Sequence, residues 1–210
     1  SLNTEQQAAV LHTHGPLLFL WAVPIAVFFV TMIVVLRQVG APPGTIALER
    51  NFYGVLRVAD SSTEQGPRLR RLFHGRVLHG AQFLQADRGD NLTTDFGDGS
   101  GIDLTFAEHP RRVAGQPLKV GVVGLGAGTI AAFGRAGDSL RFFELNPSVI
   151  EFARDHFTFL RDSGATVDVV AGDARLSLEA EMARPEHWHT YDLLVVDAFA
   201  GAAIPIHLLT

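Results

Sequence analysis

Three glycines and three acids carry the chemistry that this sequence offers. An apolar run from Val120 breaks into glycines at Gly124, Gly126 and Gly128, and Glu144 follows twenty residues after the first of them. Small residues at such a turn let a ligand approach the backbone, and a carboxylate at the tip of the next strand can accept both hydroxyls of a ribose. Asp173, in Gly172-Asp-Ala174, and Asp197, closing Tyr191-Asp-Leu-Leu-Val-Val-Asp197, end two further apolar runs. In a doubly wound sheet the C-terminal strand edges converge on one crevice, so Glu144, Asp173 and Asp197 are expected to meet there, with Asp173 near an adenine amino group and Asp197 near the reacting end. Helix capping is the competing use of Asp173 and of Asp197 taken singly. It accounts poorly for all three acids together.

The elements that must position these residues alternate as strand and helix after Gln116-Pro117. Strands are predicted at 118–124, 140–145, 167–171 and 192–197, and helices at about 128–136, 147–160 and 174–184, with Pro147 at the first helical position. That alternation implies an α/β fold with a parallel sheet and right-handed crossovers. The run before Asp197 is continuous apolar chain, as expected of a strand buried on both faces. Upstream, LERNFYGVLRVAD and RLRRLFHGRVLHGAQFLQ are separated by the turn-forming SSTEQGP and predict a small antiparallel β unit at roughly 46–86. Residues 87–103 are rich in Asp and Gly and are expected to be loop. Four parallel strands are few, and the last would leave an unpaired edge, so the chain is expected to be a fragment or an incomplete gene product, the alternative being that another subunit covers that edge.

Composition adds an apolar segment to this picture. The chain has 210 residues, 19% of them charged, with a net charge of −5 and no basic cluster, which argues against nucleic acid as a partner. There is no cysteine, so disulfides and thiolate metal sites are excluded. Residues 16–36 carry no charge and are long enough for a hydrocarbon core of about 30 Å, with Trp21 near one end and Pro24 in the first turns. A retained transmembrane helix in contact with the lipid bilayer is expected, although a buried helix of a soluble domain fits the same run. Arg37 and Arg50 follow it while only Glu5 and two histidines precede it. Positive-inside logic then places the C-terminal domain in the cytoplasm. The expected domains are a tail with membrane helix at 1–40, a β-rich segment with its Asp/Gly loop at 41–115, and a nucleoside-binding domain at 116–210.

The segments GVVGLGAGTIAAFG, FFELNPSVIEFARDHF, VVAGDARLSLE and YDLLVVDAFAGAAIPIHLLT, in that order, resemble the spermidine synthase family, especially bacterial members in which such a domain follows transmembrane helices. NFYGVLRV and FHGRVLHGAQ resemble that family's N-terminal β segment, so the likeness covers about 46–210. The resemblance implies a class I methyltransferase-like, Rossmann-type fold that binds decarboxylated S-adenosylmethionine, its thioether product or S-adenosylmethionine itself. It puts Gln82, Glu144, Asp173 and Asp197 on ligand-contacting positions, beside the glycine turn, with Asp197 as the catalytic acid. It implies aminopropyl transfer to a polyamine, in which an amine loses a proton to a carboxylate, commonly helped by a tyrosine, and displaces at a methylene beside a sulfonium.

The likeness has departures. Ala200 and Ala202 stand where relatives carry an acid, Asp95-Phe-Gly97 stands where they carry Tyr-Tyr-Gly, and Asn146 replaces the usual acid two residues after Glu144. The cofactor half is expected to be intact and the acceptor half altered. Two readings follow: a membrane-anchored transferase, or an inactive homologue serving as a structural or binding subunit of a membrane assembly or oligomer. A nicotinamide dehydrogenase ranks behind both, because Thr129 stands where the helix–strand contact wants Gly or Ala, and because Asp173 would have no role. Asp87, Asp90, Asp95, Asp98 and Asp103 could attract a polycation but fit a solvated loop better, and their spacing is not that of a calcium loop. His187 and His189 lack carboxylate partners for a metal, and His74 and His79 are expected to be structural in the β unit.

Overall fold

In a computed structural model the chain is described at residue 4 and over residues 16–39, 41–61, 66–85, 92–93, 96–185 and 191–198. It divides into two compact units, Ser1–Pro42 and Pro43–Thr210.

The first unit holds helix α1, Pro16–Val39, with Pro24 inside it. Among the described residues no helix is long and apolar enough to cross a membrane, so the transmembrane span expected at 16–36 gains no support here.

The second unit begins with a four-stranded antiparallel meander in sequential order: β1 (Thr45–Asn51), β2 (Gly54–Ser61), β3 (Leu69–His74) and β4 (Val77–Phe83). Alternation sets its inner face: Leu56, Val58 and Leu72 join Val120, Val122, Leu140 and Phe142 in a single core. Full burial of such a side chain contributes about 1.5–3 kcal/mol, so this row holds the meander on the remaining layers.

Four parallel strands follow: β5 (Lys119–Val123), β6 (Ser139–Glu144), β7 (Thr166–Ala171) and β8 (Leu193–Val196), in the order β7-β6-β5-β8. They fall within a residue or two of the predicted strands. Because β6 and β7 lie on one side of β5 and β8 on the other, the order reverses at β5, which is where such sheets open a crevice. β8 departs from the expected two-sided burial: Leu194 and Val196 are 48% and 37% exposed. The apolar cluster on that face, Val123, Phe143 and Ala174 with Leu178 and Tyr191 against it, stops short of them among the described residues.

The helices deviate more. Residues expected to form a helix at 128–136 make a 3₁₀ turn, Thr129–Phe133, which ends at an extended Gly134. A Cβ at Gly134 would lie 2.6 Å from the Ala165 Cβ and 2.7 Å from the Ser163 hydroxyl, so the crowded wall leaves no room for a wider helix. The helix expected at 147–160 is split into α4 (Pro147–His156) and α5 (Phe159–Asp162). Phe157 between them is extended and buries its ring, so packing overrides helical propensity at the break. The final helix, α6, spans Ala174–Met182.

Two short helices occupy the segment before β5: α2 (Gly101–Glu108) and α3 (Pro110–Val113). The start of α2 lies inside the stretch expected to be loop. Ser100 caps it by accepting from the Asp103 N–H at 3.2 Å, and Asp103 accepts from the Gly99 N–H at 2.8 Å. Arg112 of α3 reaches Asp138 at the base of β6 at 2.8 Å, with both side chains buried. Burial pushes the Asp138 carboxyl up. The Leu118 N–H, the Arg112 guanidinium and the Arg135 N–H more than offset this and hold it below the usual carboxylate range.

Candidate functional site

The glycine turn is built by contacts within the chain itself. Gly124 has φ +96°, and a Cβ there would lie 2.4 Å from the carbonyl oxygen of Asp197. Gly126 has φ +54°, and its Cβ would lie 2.6 Å from the carbonyl oxygen of His79, the same oxygen that accepts from the Ala127 N–H at 3.2 Å. The sequence alone assigns these glycines to the approach of a ligand. In the structure they first serve the chain's own packing, since one lets the end of β8 close on β5 and the other lets β4 close on the turn. Gly128 sits against Leu160 rather than on the crevice.

Glu144 ends β6 and bridges two turns. Its Oε2 accepts from the Leu125 N–H at 3.0 Å and its Oε1 from the Asn146 N–H at 2.8 Å. Burial pushes this carboxyl up, and the two N–H groups with nearby His74 offset the rise only in part. An ionised carboxylate offers about four lone-pair directions. The Leu125 and Asn146 N–H groups use two of them and the Leu145 N–H also acts on the carboxylate, which leaves acceptor capacity for a ligand hydroxyl.

Asn146 caps α4, its Oδ1 accepting from the Ser148 N–H at 3.1 Å and from the Asn51 amide of β1 at 2.7 Å. Those two donors fix which end of the amide is oxygen. The Nδ2 is therefore a donor, and it is buried with no hydrogen-bond partner. Asp173 caps α6, its Oδ1 accepting from the Leu176 N–H at 3.0 Å. The capping role weighed for Asp173 is thus real, and the residue faces the crevice as well.

Above the sheet edge lies one cavity of about 480 Å³, well within the range of small-ligand sites. Gly124, Gly126, Glu144, Asp173 and Asp197 all line it. Gln82 does not: it is 2% exposed, donating to the Thr158 hydroxyl at 2.7 Å and accepting from the Thr158 N–H at 3.0 Å. In this structure it anchors the start of α5 to β4. Ala200 and Ala202, Asp87, Asp90 and Asp95, and His187 and His189 lie outside the described residues.

The opposite wall comes from the meander, and sequence reasoning missed it. Tyr53, His74 and His79 line the cavity. The His74 Nε2 lies 2.7 Å from the Tyr53 carbonyl oxygen, which can only accept, so that nitrogen carries the hydrogen. The two imidazole rings are 5.6 Å apart and tilted by 51°. Burial pushes the His79 imidazole below its ordinary value, and His74 beside it adds to the effect. The available signal was the pairing of β3 and β4 around a tight turn, which places His74 at the end of β3 and His79 within β4, both on the cavity.

The side chains present fit a nucleoside that carries a cationic chain. Glu144 has acceptors to spare, Asn146 holds an unused donor in the wall, and Asp173 and Asp197 add acidic side chains.

No family model matches the chain, and no curated protein matches it either. Solved structures do. A probable spermidine synthase from Corynebacterium glutamicum ATCC 13032 aligns at a TM-score of 0.51 and 20% identity, covering 79% of this chain and 55% of that one. The spermidine synthase of Thermotoga maritima aligns at 0.51 and 13% identity, covering 79% and 50%. The chain therefore spans about half the length of the spermidine synthases it matches. The resemblance read from the sequence holds at the level of the fold: an α/β domain with a parallel sheet, arranged as in spermidine synthases.

Proposed function

We propose that this chain is the nucleoside-binding part of a spermidine synthase-like transferase, taking decarboxylated S-adenosylmethionine or S-adenosylmethionine and serving transfer to an amine. The observation that carries this reading is the convergence of Glu144, Asp173 and Asp197 with the glycine turn on one cavity, on a fold shared with spermidine synthases. When bound, such a ligand supplies an electrophilic carbon beside a sulfonium, whose thioether is the leaving group. The chain's own residues do the rest. Glu144 accepts the ribose hydroxyls, the Asn146 Nδ2 donates to an acceptor on the nucleoside, and Asp173 and Asp197 orient the base and the cationic chain. The wall of meander residues excludes water, which strengthens each of these interactions.

Isothermal titration with decarboxylated S-adenosylmethionine, S-adenosylmethionine and NAD tests this. Micromolar binding of either sulfonium, lost in Glu144→Ala, supports the reading, whereas silence toward both sulfoniums defeats it. A second reading, binding without turnover, is favoured by Ala200 and Ala202 in place of the acids that the resemblance leads one to expect. Product formation from the donor and putrescine decides between them. Anchoring through α1, with the C-terminal domain on the cytoplasmic side, is proposed separately on the apolar side chains exposed along 22–33. Release of the full chain from membranes by alkaline carbonate would refute it.

A further inference from the structure

The sheet side of the crevice is acidic, and its acids are already engaged. Each Glu144 oxygen accepts a backbone N–H and Asp173 caps α6. Carboxylates so held attract a cation, and their oxygens are already partly occupied by these bonds. An amine nucleophile needs both services: something to draw in its ammonium form and something to take a proton from it. The second service falls to the other wall. His79 is brought to the cavity by the bond between its own carbonyl oxygen and the Ala127 N–H. No described residue makes a hydrogen bond to its ring. His74 is different: its Nε2–H is committed to the Tyr53 carbonyl oxygen.

We propose that His79 is the proton acceptor for a primary alkylamine in this crevice, opposite the carboxylates that hold the amine's charge. This rests on the transferase reading above. In the step, an N–H bond of the ammonium breaks and its electron pair stays on the amine nitrogen as the attacking lone pair. The proton bonds to an imidazole nitrogen, and the positive charge passes from amine to ring. The titratable groups lining the cavity with His79 are His74, Tyr53, Glu144, Asp173 and Asp197. Burial and His74 keep His79 neutral near pH 7, so its lone pair is available. The chain thereby has a base that does not depend on positions 200 and 202.

The test uses the full chain saturated with 5′-methylthioadenosine and titrated with 1,4-diaminobutane, with the histidine ring nitrogens read by ¹⁵N NMR. The expected result is that the His79 resonances move toward the imidazolium position as diamine is added. His79→Gln should bind the nucleoside within about twofold of the unaltered chain. With decarboxylated S-adenosylmethionine as donor, kcat should fall roughly 100-fold or more in His79→Gln and His79→Ala, the range expected on losing a general base. If the nucleoside does not bind the unaltered chain, the transferase reading fails and takes this proposal with it. If the nucleoside binds but His79 is unmoved by diamine, or if both variants turn over normally, this proposal alone is overturned.

Discussion

Glu144 is the residue on which the site turns, because one carboxylate has to hold two backbone turns and a ligand. Replacing it with Gln keeps the shape and removes the charge. A hydrogen bond to a charged partner contributes about 1.5–3 kcal/mol, so nucleoside affinity should fall roughly 10- to 100-fold in titration calorimetry while the fold persists. The pH dependence has two signs. The folded-state pKa is raised by burial, so the protonated form is favoured in the native chain. Its contribution to stability is full below the unfolded value and is lost as pH rises through the folded one. Ligand binding needs the ionised form and runs the other way, weakening as pH falls. It should weaken at a higher pH than an ordinary glutamate would allow. A binding curve flat down to pH 4 would contradict this placement of Glu144.

At the scale of elements, short side-chain bonds decide where helices start and how layers are braced. Ser100→Ala removes the cap of α2 and should cost about 1 kcal/mol in urea unfolding, with an unchanged m-value. The signal for that helix stood in the sequence as Ser100 followed three residues later by Asp103, ahead of an apolar run, inside a stretch whose Asp and Gly content read as loop. Composition concealed a cap. The parallel strands were legible because their apolar runs are continuous. The split between α4 and α5 was not, because it depends on Gln82, distant in sequence, holding Thr158. Asp138 shows the larger stakes of a buried brace. It is 2% exposed and paired with Arg112, and Asp138→Asn leaves that guanidinium uncompensated, so a loss of about 3–5 kcal/mol is expected. Its depressed pKa gives stability that is present above the unfolded value and lost as pH falls through the folded one. The acid limb of the unfolding profile should therefore flatten in the variant.

At the scale of the whole second unit, the crevice exists only because the meander is fastened to the sheet edge. The glycines, Glu144, Asp173 and Asp197 could be placed on one edge from the strand–helix alternation alone. The wall that faces them could not, since no local pattern says that β4 docks on the glycine turn or that β1 docks on α4. The second docking is a polar network. The Asn51 amide donates to the Asn146 Oδ1 at 2.7 Å and to the Ser148 hydroxyl at 2.9 Å, and that hydroxyl donates to Glu49. Severing it by Asn51→Ala removes donors from two partly buried acceptors, with an expected cost of about 1–3 kcal/mol. The same change leaves the Asn146 Oδ1 held by the Ser148 N–H alone, so the orientation of its buried Nδ2 is less firmly fixed. Nucleoside affinity should then fall although residue 51 lines no part of the cavity. Measuring stability and affinity in one variant separates the two effects. If Asn51→Ala loses stability but binds the nucleoside as the unaltered chain does, the amide of Asn146 has no part in recognition, and the wall is scaffold alone.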